Sequence, residues 1–162
     1  MQNKELFLQA SHWLNYWYEK LANTDFANMP IPKLTLDQRG AIAGSARLQK
    51  HHIKLNPKLY THNQHYFEQQ VIPHELAHLV AFYHYGRVKP HGHEWQNIMQ
   101  SCFKRPADVT HKLDLKKAGI KRFTYACECR EVEFTAVRHN KVKRHQQSYI
   151  CRDCRSPLVN VD

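Results

Sequence analysis

An α+β fold is predicted by three observations. Apolar residues recur at helical steps near the N-terminus, three short segments between positions 33 and 56 alternate as strands do, and a long stretch from Phe67 to Tyr85 returns to helical spacing. At 162 residues the chain has room for one core domain of about 100 residues plus a small appendage.

Taken in order, Leu6, Ala10, Trp13, Leu14, Trp17 and Leu21 step by three and four, which predicts an amphipathic helix laying two tryptophans on a core. Asn23 to Pro32 reads as a loop from its Asn, Asp and Pro content. Lys33–Asp37, Ala41–Leu48 and His52–Asn56 are the strand candidates, and Asn56-Pro57 ends the last. The helix from Phe67 should be started or kinked by Pro73 and capped at Gly86. Trp95, Ile98, Met99 and Cys102 mark another helix face, and Arg105-Pro106 opens a loop. Cys102 reads as a small buried hydrophobe.

The N-terminus mixes charged residues among its apolar ones, and no run approaches the roughly 18 apolar residues of a membrane span. A soluble, cytoplasmic protein is expected, with no membrane partner. The net charge of +10 is concentrated late in the chain: residues 1–102 carry ten Lys and Arg against seven acids, residues 103–162 fourteen against seven. A zinc ion held by four thiolates would lower that second half only from +7 to about +5, so a basic face remains.

The stretch VIPHELAHLVAFYHYGRVKPHGHEW holds five histidines. On a helix His74 and His78 stand about 40° apart in projection and one turn apart along the axis, so both can reach one ion. Glu75, about 60° from His78, can act as general base on a water at the metal without ligating it, the division of labour of HExxH sites. Ile72, Leu76, Leu79, Val80 and Tyr83 form the apolar back of the same helix. His and Glu are frequent enough here to give HExxH by chance in roughly one shuffled sequence in twenty, so the motif needs a third ligand to carry weight.

His84 has the spacing of HExxHxxGxxH, but Ala81 stands where that pattern turns on a glycine, and a continuing helix leaves His84 about 9 Å past His78 and some 120° around. His91 follows a real turn at Gly86 and Pro90, and Gly92 permits a close approach. His93 and Glu94 share that segment and remain its rivals on residues alone. For an oxyanion stabiliser the candidates are His111, Tyr83 and His93.

Four cysteines crowd the C-terminus. Cys127-x-Cys129 and Cys151-x-x-Cys154, with 21 residues between them, approach the spacing of a zinc ribbon, a closed four-ligand and therefore structural site. Val132, Phe134 and Ala136 alternate as a strand, Asn140-Lys141 offers a turn, and Ser148 to Ile150 leads back to the second pair. So small a hairpin needs a metal to stay folded. Arg138, Lys141, Lys143, Arg144, Arg152 and Arg155 lie on or beside it, a patch suited to phosphates and therefore to DNA without sequence specificity, with Tyr149 or Phe123 available for stacking.

HELAH followed by PHGHEW, with GSARLQKHHIKLNP before it, PADVTHKLDL after it, and a tail reading YACEC, VRHNKV and YICRDC, resembles the SprT family over nearly the whole chain. SprT-like domains also occur in eukaryotic Spartan, a protease that digests proteins crosslinked to DNA. The resemblance implies a zincin-like SprT-like metallopeptidase domain, expected over residues 1–118, and a zinc ribbon over residues 119–162. It implies zinc as the metal, and His91, the first histidine of PHGHEW, as third ligand beside His74 and His78. It also implies a DNA-bound protein substrate. Arg155 departs from the glycine common after the last cysteine of zinc ribbons. Two functions are consistent with these residues: a zinc endopeptidase acting through Glu75, and a zinc-binding, nucleic-acid-associated regulatory protein with little or no proteolysis.

Overall fold

Helix α1, Asn3–Glu19, buries Leu6, Ala10, Leu14 and Trp17 and packs against the helix that carries HELAH. The structure, a computed structural model, describes residues 3–110, 113–115 and 117–162. Trp17 is the tryptophan laid on the core: its indole N–H donates to the Glu68 carbonyl at 2.6 Å, and the Arg105 guanidinium lies over its ring. Trp13, expected beside it, is only half-buried and meets Tyr16 edge-on, because a stripe narrow enough to face one neighbouring helix has room for Trp17 and not for both rings.

Three strands come next, β1 (Lys33–Thr35), β2 (Gly44–Arg47) and β3 (His52–Leu55), in the order β1-β3-β2. β3 runs parallel to β1 and antiparallel to β2, so it is paired on both sides, and Ile53 and Leu55 are fully buried. A single residue ties this sheet to the next helix. Asn56, 2% exposed, accepts the Leu59 N–H as the cap of α2 (Pro57–His62) and donates to the carbonyls of Gly40 and Ile42.

A short helix, α3 (Gln64–Tyr66), leads into a π-helical turn, Phe67–Val71, and then into α4, Ile72–Tyr85. Pro73 sits in the first turn of α4, where its missing N–H removes no helical bond. Ile72, Leu76, Leu79 and Val80 bury the back of the helix as expected, but Tyr83 is 54% exposed, since it lies in the last turn where α4 runs beyond the core. Helix α5, His93–Asn97, continues as a π-turn through Cys102 and supplies Trp95, Ile98 and Met99 to the core; Cys102 itself is only half-buried.

The chain divides into two compact units, Met1–Asp114 and Leu115–Asp162. In the second, β4 (Arg122–Ala126) pairs antiparallel with β5 (Glu131–Thr135), and β6 (Val159–Asn160) pairs with the other side of β4. The strand expected on Val132, Phe134 and Ala136 is β5 as far as Thr135, but Ala136 and the expected turn at Asn140-Lys141 lie instead in a helix, α6, Ala136–Lys143. Its physical reason lies in packing: the turn of helix brings His139 flat onto Phe123, 3.7 Å between ring centroids, over a core of Tyr125 and Phe134.

Candidate metal centres

Helix α4 places His74 and His78 one turn apart, as its period requires, and Gly86 ends it. With φ +73 and ψ −146, Gly86 holds a backbone conformation that only glycine takes without strain, while its N–H still donates to the Phe82 carbonyl at 2.9 Å. The chain then doubles back, the Gly92 N–H closing onto the Lys89 carbonyl, and His91 takes a left-handed φ of 57 that returns its ring to the helix.

The outcome is a triangle of Nε2 atoms: His74 to His78 3.2 Å, His78 to His91 3.1 Å, His91 to His74 3.1 Å. Three atoms with only two possible roles, donor or acceptor, must include at least one like pair, so hydrogen bonding alone cannot account for the triangle. Zinc–nitrogen bonds of about 2.0–2.1 Å arranged tetrahedrally would space the nitrogens about 3.3–3.4 Å apart, close to what is seen. Three imidazoles converging on one point are a donor set that fits such an ion and supplies three of its four tetrahedral positions. His93 is exposed and outside this group, as is His84, whose ring meets Phe26 edge-on. Glu94 is outside it as well.

Trp95 is a residue whose contribution to this site is not apparent from its sequence position, where it reads only as core. It is fully buried, its ring lies 4.7–5.5 Å from all three imidazoles, and its N–H donates to the His74 carbonyl at 3.2 Å. It backs the cluster with an apolar, positioned wall. Burial also pulls the pKa of His91 below the ordinary imidazole value, which keeps its nitrogen free for a ligand role.

Glu75 is 5% exposed and held between α4 and the edge of the sheet. Burial raises its pKa to about 8, partly opposed by a hydrogen bond from the Ala46 backbone N–H. Gly44 makes this placement possible, since a Cβ there would lie 3.0 Å from Glu75 Cγ and 3.2 Å from Leu55 Cδ2. Neither glycine nor alanine in GSAR announces that role. Ala46 and His78 both line a cleft of about 410 Å³ that runs along Leu48 and past Pro90.

Of the oxyanion candidates, Tyr83 lines a separate hollow with Asp25 and Phe26, its hydroxyl donating to Asn28, because its position on α4 faces away from the cluster. His111 lies outside the described residues.

In the second unit Cys127 and Cys129 occupy the β4–β5 turn, and Cys151 and Cys154 a knuckle closed by the bridge of Ile150 to Pro157. The four sulfurs all lie within 4.8 Å of one another, with Cys127 to Cys129 at 3.5 Å and Cys129 to Cys151 at 3.7 Å. Zinc–sulfur bonds of about 2.3 Å would set tetrahedral edges of about 3.8 Å. The Ser156 hydroxyl lowers the pKa of Cys154 to about 6, and the backbone N–H of Cys154 lowers that of Cys151, whereas the neighbouring sulfurs push Cys129 up to about 12. Four thiolates this close together would repel one another, and a cation among them would relieve that repulsion. Arg155 adopts the left-handed conformation, φ 62, that a glycine would take there, and its N–H still reaches the Cys151 carbonyl.

Arg138, Lys141, Lys143, Arg144, Arg152 and Arg155 are all exposed. The guanidinium of Arg138 lies 5.6–5.8 Å from the rings of Phe134 and Tyr149. His139 covers one face of Phe123.

Residues 14–112 match the SprT-like family. The chain belongs to the SprT-like family. It is 44% identical over 144 residues to Protein SprT of Enterobacter sp. (strain 638), covering 87% of each chain. It is 46% identical over 140 residues to Protein SprT of Proteus mirabilis (strain HI4320), covering 86% of this chain and 82% of that one. To Protein SprT of Vibrio parahaemolyticus it is 44% identical over 131 residues, 81% and 79% of the two chains. No solved structure matches it. The SprT-like segment contains the whole histidine triangle, Glu75, Trp95 and β2, and the four cysteines lie beyond it. Among the described residues no helix of this SprT-like protein is long and apolar enough to cross a membrane.

Proposed function

We propose that this SprT-like protein is a zinc-dependent endopeptidase that cleaves proteins associated with DNA. The observation that carries the reading is the triangle of Nε2 atoms at 3.1–3.2 Å beside a buried carboxylate, at the wall of an open cleft. His74, His78 and His91 would hold the catalytic zinc, and Cys127, Cys129, Cys151 and Cys154 a structural one. Zinc, when bound, supplies Lewis acidity, polarising a carbonyl and acidifying water. Glu75 takes the proton of the attacking water on its carboxylate and delivers it to the leaving amine nitrogen. Its burial favours holding that proton between the two steps.

An extended substrate chain needs a free strand edge. The alternation of His52–Asn56 would suit that segment to be the substrate-pairing edge, but the strand order excludes it: β3 is central and has no free edge, whereas the outer side of β2 is unpaired among the described residues. The Asn56 backbone N–H donates to the Ala43 carbonyl, so in this antiparallel register Gly44 and Ala46 turn their backbone groups outward, toward that edge. The Ala46 N–H is used by Glu75, which leaves the carbonyl of Ala46, a half-buried residue that lines the cleft, for a substrate.

DNA would be held through phosphates by Arg138, Lys141, Lys143, Arg144, Arg152 and Arg155, without base reading. A cytoplasmic, nucleoid-associated setting follows from that partner.

A second reading, a zinc-binding nucleic-acid-associated regulator with little turnover, draws on the 5% exposure of Glu75, which shields the base. One experiment separates the two. Zinc-loaded native chain and the Glu75→Gln variant are incubated with a DNA-bound protein, and fragments and zinc content are measured. The endopeptidase reading expects cleavage by the native chain alone, with equal zinc in both. Equal degradation by both, self-cleavage included, rejects it, and intact substrate with the loaded native chain establishes the regulator.

A further inference from the structure

The cleft beside the histidine triangle carries an unusual charge. Arg47 and Lys50, at the end of β2 and in the turn after it, and Arg87 and Lys89, in the turn after α4, all line it. These are four of the ten Lys and Arg residues in positions 1–102, and none of the described residues lining the cleft is acidic. All four are exposed, and none takes part in a salt bridge among the described residues. Four like charges around one concavity repel each other and raise its potential, which an anionic guest relieves.

We propose that this cleft selects extended peptide segments bearing Asp or Glu near the scissile bond, with Arg47, Lys50, Arg87 and Lys89 as the specificity-determining cations; the inference rests on the endopeptidase reading and names its substrate class. The backbone of the guest argues for peptide over nucleic acid. The cleft begins at Ala46, on the open edge of β2, whose outward-facing backbone carbonyl complements the N–H of an extended polypeptide, a donor that a phosphodiester chain lacks. Arginine forks then fit carboxylates in bidentate fashion.

The test uses zinc-loaded full-length chain and three peptides of equal length whose flanking side chains are alanine, glutamate or lysine. The glutamate peptide is expected to have a kcat/KM on the order of tenfold above the alanine peptide, an advantage that shrinks with salt. In Arg47→Ala/Arg87→Ala the ratio should fall toward one, and in Arg47→Glu/Arg87→Glu the lysine peptide should be preferred. Fluorescence anisotropy of the labelled glutamate peptide on Glu75→Gln supplies a readout independent of turnover, with affinity again lost in the double alanine background. Glu75-dependent cleavage with no acidic preference overturns this inference and leaves the endopeptidase reading intact. No cleavage of any peptide overturns that reading instead, and peptide affinity then decides the cleft's preference alone. A single-stranded oligonucleotide that competes with the peptide and loses affinity equally in Arg47→Ala/Arg87→Ala marks a nucleic-acid groove and overturns the proposal.

Discussion

Glu75 is a carboxyl group that burial makes expensive to ionise. Its pKa in the folded, metal-free chain is about 8 against an ordinary 4.5. Below 4.5 it is protonated folded or unfolded and contributes nothing to pH dependence. Between 4.5 and 8 only the unfolded chain releases the proton, so stability falls as pH rises, by a total on the order of 4 kcal/mol. Urea denaturation of metal-free protein at pH 5 and pH 8 should show that loss, and Glu75→Gln should lack Glu75's share of it. All three tryptophans lie within residues 1–114, so their fluorescence follows the unit that contains the group. Gly44→Ala is the companion experiment. The added methyl must displace Glu75 or Leu55, at a cost of about 1–3 kcal/mol and up to about 100-fold in kcat, read from denaturation and peptide hydrolysis. His74, Glu75 and His78 are legible as a group because a helix period fixes their relative directions without reference to anything else. Gly44, Ala46 and Trp95 are not, because each serves the site through a neighbour that is distant in sequence.

At the scale of elements, the sheet edge and the returning turn do the positioning. Asn56 joins the loop at Gly40 and Ile42, the end of β3 and the start of α2 through three hydrogen bonds of one buried side chain. Asn56→Ala removes a helix cap and strands two carbonyls, so thermal or urea unfolding should show a loss of about 1–3 kcal/mol with the fold retained. The strand candidates can be read from alternation, but not their order. Alternation says which face of a strand is buried and is silent on which strand lies between the others, so β3 passes for an edge. The helix α6 escapes a sequence reading for a related reason: VRHNKVK has little periodicity of its own, and its helical state comes from the stacking of His139 on Phe123.

For the molecule as a whole, two candidate metal centres and an excess of exposed basic residues give measurable totals. Elemental analysis should find two zinc ions per chain, and Cys151→Ser should leave one. Chelation should unfold Leu115–Asp162, whose core is little more than Tyr125, Phe134 and Cys151, as followed by amide hydrogen exchange. DNA affinity should fall steeply with salt, and replacing Arg138, Lys143 and Arg144 with Ala should reduce the slope of log K against log salt by roughly two to three. A flat response would rule out the phosphate contacts. The sequence by itself determined the chemistry: which imidazoles and thiols could serve as ligands, which carboxylate could serve as base, and where the excess positive charge falls, since these follow from residue type and local spacing. The family resemblance implied His91 as the third ligand, but only tertiary structure decided by distance that His91 and not His93 or Glu94 completes the triangle, that β2 is the open edge, and that four scattered cations share one cleft. Those are distances between segments far apart along the chain, set by which buried surfaces pack together, and no local pattern contains them.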